Sequence, residues 1–451
     1  MTTPTSPLPL AVVGAGPIGL AAAAHAQSRG LPTVVLEAGP TVGSAVRAWG
    51  HVRLFSSWAE LVDPAAEVLL TRSGWTRPDA ATYPTGEEWA TAYLLPLAAA
   101  LEATGEVEVR TGHRVVGLTR EGRDRLVDDG RTDAAFVVHV EGPSGEGVLR
   151  AAAVVDASGT WAGHGPLGAD GLPAQGERTH ADRIAYAVPD LADPAVRSRY
   201  AGRHVVVAGT GASAQNTLVA LAALAEEVPS TRITWLVRRG GTSAAFGGGD
   251  DDQLVARGAL GSSARRAVEQ GPVTTVTGFR AATVEDDQAH PGALVVTGLD
   301  GRRVEAVDEL VVVTGFRPDL GWLSEVRLDL DPVLSAPRQL APLIDPNVHS
   351  CGTVYPHGAA ELAQPEPGLY LAGMKSYGRA PSFLALTGFE QVRSIVAAIV
   401  GDHEAAARVE LVLPEPGVCG GSGALDGVPE ADDAGCCAPS PALLTLGGST
   451  C

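Results

Sequence analysis

The feature that most constrains this chain is the stretch 10–37, which reads LAVVGAGPIGLAAAAHAQSRGLPTVVLE. A short apolar strand runs into a turn with three spaced glycines, an alanine-rich helix follows, and a second strand ends on an acid. This order is typical of a βαβ unit that binds a dinucleotide, because the glycines let a pyrophosphate approach the amides at the helix N-terminus. The acid is expected to bind a ribose hydroxyl. The predicted site consists of Gly14, Gly16, Pro17, Ile18, Gly19 and Glu37.

Composition limits the class of protein. The chain has 451 residues, 45% of them hydrophobic, which is enough for two or more cores of ordinary domain size. The net charge of -19 argues against nucleic acid or an anionic membrane as partner. The first 28 residues carry no charged side chain, but they lack the basic start of a signal peptide. We therefore expect a cytoplasmic protein that acts on a small molecule and makes no membrane contact.

A second fingerprint begins at residue 204, where the strand HVVVA is followed by another spaced-glycine turn and a helix. Its second strand, 232–237, ends on Arg238 and Arg239 instead of an acid. A guanidinium can bind a 2′-phosphate that a carboxylate would repel, so the pattern favours NADPH over NADH. The alternative is a solvated strand end. The predicted NADPH-binding residues are Gly209, Gly211, Ala212, Ser213, Ala214, Arg238 and Arg239.

Two fingerprints in one chain predict an α/β fold with two Rossmann-like domains, an FAD domain and an inserted NADPH domain. We expect the first part of the FAD domain over 1–165, the NADPH domain over 166–310 and the return to the FAD domain over 311–400. Residues 401–451 are acidic and rich in Gly, Ser and Pro, which predicts a flexible tail. Between the fingerprints, a capping box is expected at Thr85 and Glu88, and a β-meander of four strands is expected at 107–110, 114–118, 135–140 and 147–152.

Further candidates for flavin contact lie where loops follow predicted strands. Aromatic and basic residues come after the first βαβ unit, although a tryptophan there is equally explained as a core residue. Small residues follow the strands 152–156, 311–313 and 369–372. These candidates are Arg47, Trp49, Ser158, Gly159, Gly315, Gly373 and Met374.

The five cysteines all lie at or after residue 351. A disulfide reductase of the usual kind places a C-x-x-C or C-x4-C pair against the flavin, and both predicted domains lack such a pair. Cys351 has two readings: a thiolate whose pKa is lowered by Lys375 and His349, or a small buried apolar residue.

The order of fingerprint, return turn, second fingerprint and VVTGFRPD resembles the two-dinucleotide-binding-domain flavoproteins over residues 9–400. More narrowly, DPNVHSCGT at 345–353, AGMKSYGRAP at 372–381 and GFEQVRS at 388–394 resemble the flavin-dependent monooxygenases of bacterial arsenic-resistance operons. The resemblance implies that NADPH reduces FAD and that oxygen adds as a flavin hydroperoxide. This species would then oxidise trivalent arsenic or another soft centre such as sulfur.

The resemblance also supplies candidate catalytic residues, namely Cys351, Lys375, Tyr377 and Arg379. The tail cysteines are candidate thiolate ligands of arsenic(III), because soft thiolates prefer such an ion, whereas the spacing does not suit zinc. For the tail, the alternative is that its cysteines have no function. For the whole protein, the alternatives to a monooxygenase are a reductase that passes electrons to the tail thiols or to a metalloid, and a metalloid or redox sensor. The tail ligands in question are Cys419, Cys436, Cys437 and Cys451.

Overall fold

The computed structural model describes residues 7–247, 249, 252, 254–347, 357–381 and 383–411. Strands in these residues, in chain order, are β1 Leu10–Val13, β2 Thr33–Leu36, β3 Val107–Arg110, β4 Arg114–Arg120, β5 Phe136–Gly142, β6 Gly145–Ala151, β7 Ala153–Asp156, β8 Ile184–Ala185, β9 His204–Ala208, β10 Arg232–Leu236, β11 Val273–Val276, β12 Ala281–Asp286, β13 Leu294–Gly298, β14 Arg303–Val307, β15 Glu309–Val312 and β16 Leu369–Leu371.

The helices are mostly short, and none in the described part of the chain has the length and apolarity needed to span a membrane. They are α1 Pro17–Gln27, α2 Ser44–Arg47, α3 Pro64–Arg72, α4 Gly86–Trp89, α5 Leu95–Glu102, α6 Pro194–Tyr200, α7 Ala212–Glu227, α8 Val255–Glu269, α9 Ala341–Ile344, α10 Ala359–Leu362, α11 Ala385–Ile399 and α12 His403–Ala407. The predicted capping box before α4 is confirmed: Glu88 N–H donates to Thr85 Oγ1, and Thr85 N–H donates to Glu88 Oε2.

The first sheet contains five parallel strands in the order β16-β7-β1-β2-β3. The alanines of α1 are buried and small, so they let the helix pack closely on the sheet and against α11. Gly388 of α11 lies directly beside Ile18 of α1, where a Cβ would come within 2.4 Å of the isoleucine side chain. Because β1, β7 and β16 are parallel neighbours, their carboxyl ends meet at one edge of this sheet.

The second sheet contains five parallel strands in the order β11-β10-β9-β15-β8. An antiparallel sheet of β12, β13 and β14 lies beside it. Two parallel Rossmann-type sheets confirm the predicted fold class. The predicted boundary at residue 310 falls inside β15, which pairs with β9 and β8, so the second sheet extends to Val312.

The predicted meander has three strands instead of four. β4, β5 and β6 form an antiparallel sheet, but β3 pairs parallel with β2 and completes the first sheet. β3 lies at the edge of that sheet with its glutamate exposed. A half-exposed edge strand shows the same polar and apolar alternation as a meander strand, which is why the sequence assigned it wrongly.

Two neighbouring chain segments connect the two parallel sheets. Gly165 N–H donates to Gly315 O at 2.6 Å, and Arg317 N–H donates to Gly163 O at 2.6 Å. Residues 164 and 316 form an antiparallel bridge between them. The chain thus enters and leaves the second sheet at one place.

The predicted tail begins with folded structure. Asp402 caps α12 by accepting a hydrogen bond from Ala405 N–H, and Arg393 of α11 donates to Ala405 O at 2.8 Å. The same guanidinium pairs with Glu390 at 2.6 Å. Residues 403–407 therefore belong to the body of the protein, and residues 412–451 lie outside the described part.

Candidate functional site

The glycines of the first turn differ in what requires them. Gly14 has a φ of +100°, and a Cβ there would come within 2.7 Å of Ala157 O. A Cβ on Gly19 would overlap Gly14 O. Gly16 has extended backbone, and a Cβ there would meet nothing within 4 Å. The fold explains Gly14 and Gly19, whereas the open space at Gly16 fits the approach of a ligand.

The N-terminus of α1 lies at that open space, and no side chain of the described residues caps it. Gly16 is the N-cap and provides no side chain, Pro17 occupies the first turn, and no acid lies in that turn. Glu37 accepts hydrogen bonds from Ala15 N–H and Gly39 N–H, both at 2.8 Å. These bonds hold the carboxylate beside the turn, where the fingerprint requires it.

The second turn repeats this arrangement. Gly209 has a φ of +130°, and a Cβ there would overlap the carbonyl oxygen of Val313, the residue after β15. Gly211 is the N-cap of α7, and a Cβ there would meet nothing within 4 Å. Ala214, in the third-glycine position, is fully buried.

The residues after β10 lie at the same edge of the second sheet. Arg238 is exposed, and Arg239 is half-buried with its carbonyl accepting from Gly278 N–H at 2.7 Å. Ala212 and Ser213 form the first turn of α7, and each carbonyl accepts a side-chain bond from one turn later. An exposed guanidinium at this place can reach an anion in front of α7.

Lys375 forms a buried ion pair at the first sheet edge. Its Nζ lies 2.7 Å from Asp156 Oδ2, and the two side chains are 1% and 0% exposed. The ammonium also donates to Ser158 Oγ at 3.0 Å and lies 4.9 Å from the ring centroid of Trp322. Ser158 in turn donates to Asp156 Oδ1 at 2.6 Å. This geometry favours a positioning role for Lys375 over the catalytic contact predicted from the sequence.

A second buried network follows β16, and sequence reasoning missed it. Gly373 N–H donates to Gln391 Oε1 at 2.7 Å, and Gln391 Nε2 lies 2.8 Å from His357 Nε2 and 2.9 Å from Ser376 Oγ. Because an amide nitrogen can only donate, His357 Nε2 is the acceptor in this contact. The network fixes the turn at Gly373, which has a φ of +68° and packs on Ile18.

The other two catalytic candidates occupy contrasting places. Tyr377 is buried and packs edge-on against Phe383, with ring centroids 5.0 Å apart. Burial raises the pKa of Tyr377 well above its ordinary value, so the hydroxyl stays neutral and is no base. Arg379 is exposed, and its backbone N–H donates to Leu334 O at 2.7 Å. Met374 between these turns is half-buried.

Of the remaining candidates for flavin contact, two are glycines next to open space and two are side chains that contact other parts of the protein. Gly159 and Gly315 both have positive φ, and a Cβ on either would meet nothing within 4 Å. Arg47 pairs with Glu87 at 2.6 Å. Trp49 packs against the first hydrophobic core, which agrees with its reading as a core aromatic.

The structure thus brings together two groups of predicted residues. At the edge of the first sheet lie Gly14, Ile18, Ser158, Gly373 and Lys375. At the corresponding edge of the second sheet lie Gly209, Gly211 and Arg238. Within the described residues, no group of three or more His, Cys, Asp or Glu side chains could hold a metal ion. The predicted cysteine sites at Cys351, Cys419, Cys436, Cys437 and Cys451 lie outside the described residues, as does His349.

The two glycine turns on two parallel sheets give the chain two Rossmann-type units, each with the turn of a dinucleotide-binding site. Residues 12–71 match the family model of NAD(P)-binding Rossmann-like domains. Over 163 residues the chain is 34% identical to a ferredoxin–NADP reductase of Paraburkholderia xenovorans, a match that covers 36% of this chain and 38% of that relative.

Solved structures share the fold over most of the chain. The bacillithiol disulfide reductase of Bacillus cereus has a TM-score of 0.60 at 18% identity and covers 87% of this chain and 100% of its own. The FAD-bound cadaverine monooxygenase of Erwinia amylovora has a TM-score of 0.58 at 12% identity, with 91% and 99% covered. Reductases and monooxygenases both use this architecture, so the fold leaves the reaction open.

Proposed function

We propose that the protein is a cytoplasmic FAD- and NADPH-dependent monooxygenase that oxidises a soft, electron-rich substrate, with a trivalent arsenical as the substrate class. The observation that carries the proposal is the presence of two dinucleotide turns in one chain with no cysteine before residue 351. Without a cysteine pair in either sheet unit, electrons from NADPH need another acceptor, and molecular oxygen meets that need.

The residues at the first sheet edge fit FAD. The amides of α1 face the open space at Gly16, and Glu37 stands beside the turn as a ribose acceptor. Gly159 lies at the same edge with open space around its Cα. Bound FAD would supply electron transfer from a reduced nicotinamide and reactivity toward oxygen, which no side chain provides.

The chain's own residues would bind, orient and exclude water. Asp156 and Lys375 join the ends of β7 and β16, so Ser158 and the turn at Gly373 are held at fixed positions. Gln391 accepts the hydrogen bond of the Gly373 amide from inside the protein. The residues Gly211, Ala212, Ser213 and Ala214 would hold the pyrophosphate of NADPH, with Arg238 on its phosphate.

The arsenical substrate rests on the resemblance carried by residues 345–353, 372–381 and 388–394. Thiolates are soft ligands that suit arsenic(III). In this proposal Cys351 contacts the substrate, and Cys419, Cys436, Cys437 and Cys451 gather it from dilute solution.

The decisive test measures NADPH consumption and oxygen uptake together, with arsenite, methylarsenite and a thioether as separate substrates. We expect an arsenical to increase both rates in equal proportion. Oxygen uptake with the thioether alone would keep the monooxygenase and reject the arsenical. NADPH consumption that proceeds without oxygen, on a disulfide or metal ion, would identify a reductase instead of a monooxygenase.

Nucleotide choice gives a second test. Arg238→Ala is expected to raise the KM for NADPH about ten- to a hundred-fold and leave the KM for NADH nearly unchanged, because a charge-assisted phosphate contact is worth about 1.5–3 kcal/mol. The matched control is Arg232→Ala, which removes an exposed arginine from the other end of β10. If Arg238→Ala changes the KM for NADPH and for NADH equally, Arg238 is a solvent-exposed residue at a strand end and does not bind the phosphate.

A further inference from the structure

The antiparallel sheet of β4, β5 and β6 has a bare edge at β6. β6 pairs with β5 on one side, and no other strand of the described residues pairs with it. Residues 145–148 and Arg150 are exposed, and the side chain of Val148 is among the most exposed large apolar groups, at 63%. A bare, solvent-exposed edge is a template for pairing with another strand.

The hairpin turn determines which backbone groups face this edge. Gly142 pairs with Gly145 across a two-residue turn, so these two residues form a hydrogen-bonded pair. Hydrogen-bonded pairs alternate along an antiparallel ladder. Glu146, Val148 and Arg150 therefore direct their N–H and C=O groups away from β5, and none of them has a backbone hydrogen bond elsewhere in the described residues.

The side chains of the same three residues form a self-complementary pattern. Alternate residues of a strand share one face, so Glu146, Val148 and Arg150 all lie on the solvent face of the sheet. The acid lies two residues before Val148, and the base lies two residues after it. In an antiparallel copy centred on Val148, each Glu146 stands opposite Arg150 of the other copy, and the valines meet at the centre.

The charges also select this register. Neighbouring registers that use the same backbone groups place a charge opposite Val148 or opposite its own copy. Arg150 already pairs with Glu121 at 2.7 Å, with both side chains about half exposed. Because a guanidinium has five donors, Arg150 can bind Glu121 and the second copy's glutamate together.

We propose that β6 is the contact strand of a symmetric homodimer, in which two copies of the chain join their three-stranded sheets into one six-stranded sheet. The contact is isologous, as a two-fold axis through Val148 requires. Main-chain hydrogen bonds supply most of the affinity, as in other cases of strand addition, and the two charge pairs fix the register.

The test is the mass of the full-length, FAD-loaded chain by sedimentation velocity at about 10–100 µM, where strand addition of moderate affinity is populated. We expect twice the single-chain mass for the parent and the single-chain mass for Glu146→Arg and for Val148→Pro. The triple variant Glu146→Arg/Arg150→Glu/Glu121→Arg exchanges the signs of both charge pairs, including the pair within each copy, and should recover the dimer. Glu141→Arg is the matched control: it makes the same charge change on β5, directly across from Glu146, and should stay dimeric.

Hydrogen exchange gives an independent measurement of the same contact. The amides of Glu146, Val148 and Arg150 should become more protected as the protein concentration rises, while those of Gly147 and Leu149 should not change. A parent that keeps the single-chain mass throughout the concentration range overturns the proposal. A dimer that survives both Glu146→Arg and Val148→Pro also overturns it, because the contact then lies on another surface.

Discussion

Gly16→Val is expected to abolish FAD binding and leave the chain folded. The extended backbone at Gly16 is open to any residue, and a Cβ there meets no protein atom within 4 Å, so the valine costs the free protein little. The same side chain would fill the space in front of the α1 amides that a pyrophosphate needs. We expect affinity for FAD to fall by more than about 100-fold, which corresponds to about 2.8 kcal/mol. The measurement is flavin absorbance of the purified protein, followed by titration with FAD.

The matched variant is Gly211→Val, which makes the same change at the equivalent position of the second turn. It should keep its FAD and lose reduction by NADPH. Circular dichroism of both variants should match the parent. If Gly16→Val keeps FAD, or if Gly211→Val loses it, the assignment of the two turns is wrong.

Lys375→Met is expected to destabilise the protein by about 3–5 kcal/mol, because it leaves the carboxylate of Asp156 buried without its counter-charge. Asp156→Asn should have a comparable effect from the other side of the pair. Removing both charges, in Lys375→Met/Asp156→Leu, should recover part of the loss because two apolar side chains can pack where the ion pair was. Urea unfolding with matched flavin content measures all three.

A surface pair provides the control for this series. Arg303 and Glu305 lie 3.1 Å apart with side chains 51% and 48% exposed, so Arg303→Met should cost no more than about 1 kcal/mol. If Lys375→Met lowers the free energy of unfolding as little as Arg303→Met does, the buried ion pair does not stabilise the junction of β7 and β16. If it leaves stability intact but lowers turnover, Lys375 has the catalytic role that the sequence suggested.

The parts that could be predicted from the sequence are those encoded by neighbouring residues. The spaced glycines, the apolar strands beside them and the capping box are each complete within a few turns of chain, so both parallel sheets were expected. The position of Arg238 next to the second turn could also be predicted, because Arg238 follows directly on the second strand of that unit. In these cases the local pattern and the tertiary structure agree.

The parts that could not be predicted depend on distant partners. β3 and β15 have patterns that fit either of two sheets, and only tertiary pairing chooses between them. Lys375, the only lysine of the chain, is a candidate from the sequence, but its partner Asp156 is not, because the two meet only when β7 and β16 pair. Likewise the sequence of α12 resembles the start of an acidic tail, but Arg393 of α11 and the Asp402 cap hold it in the body of the protein.

The paired segments at 163–165 and 315–317 have a consequence for the order in which the molecule assembles. Lys375 and Ser158 are 217 positions apart, so a disordered chain between them would make the joining of β7 and β16 entropically costly. When the second sheet unit folds first, its two ends already lie side by side, and the remaining loop to be closed is much shorter than the full separation. An inserted unit that folds early would then speed the pairing of β7 with β16, and one that folds late would delay this pairing.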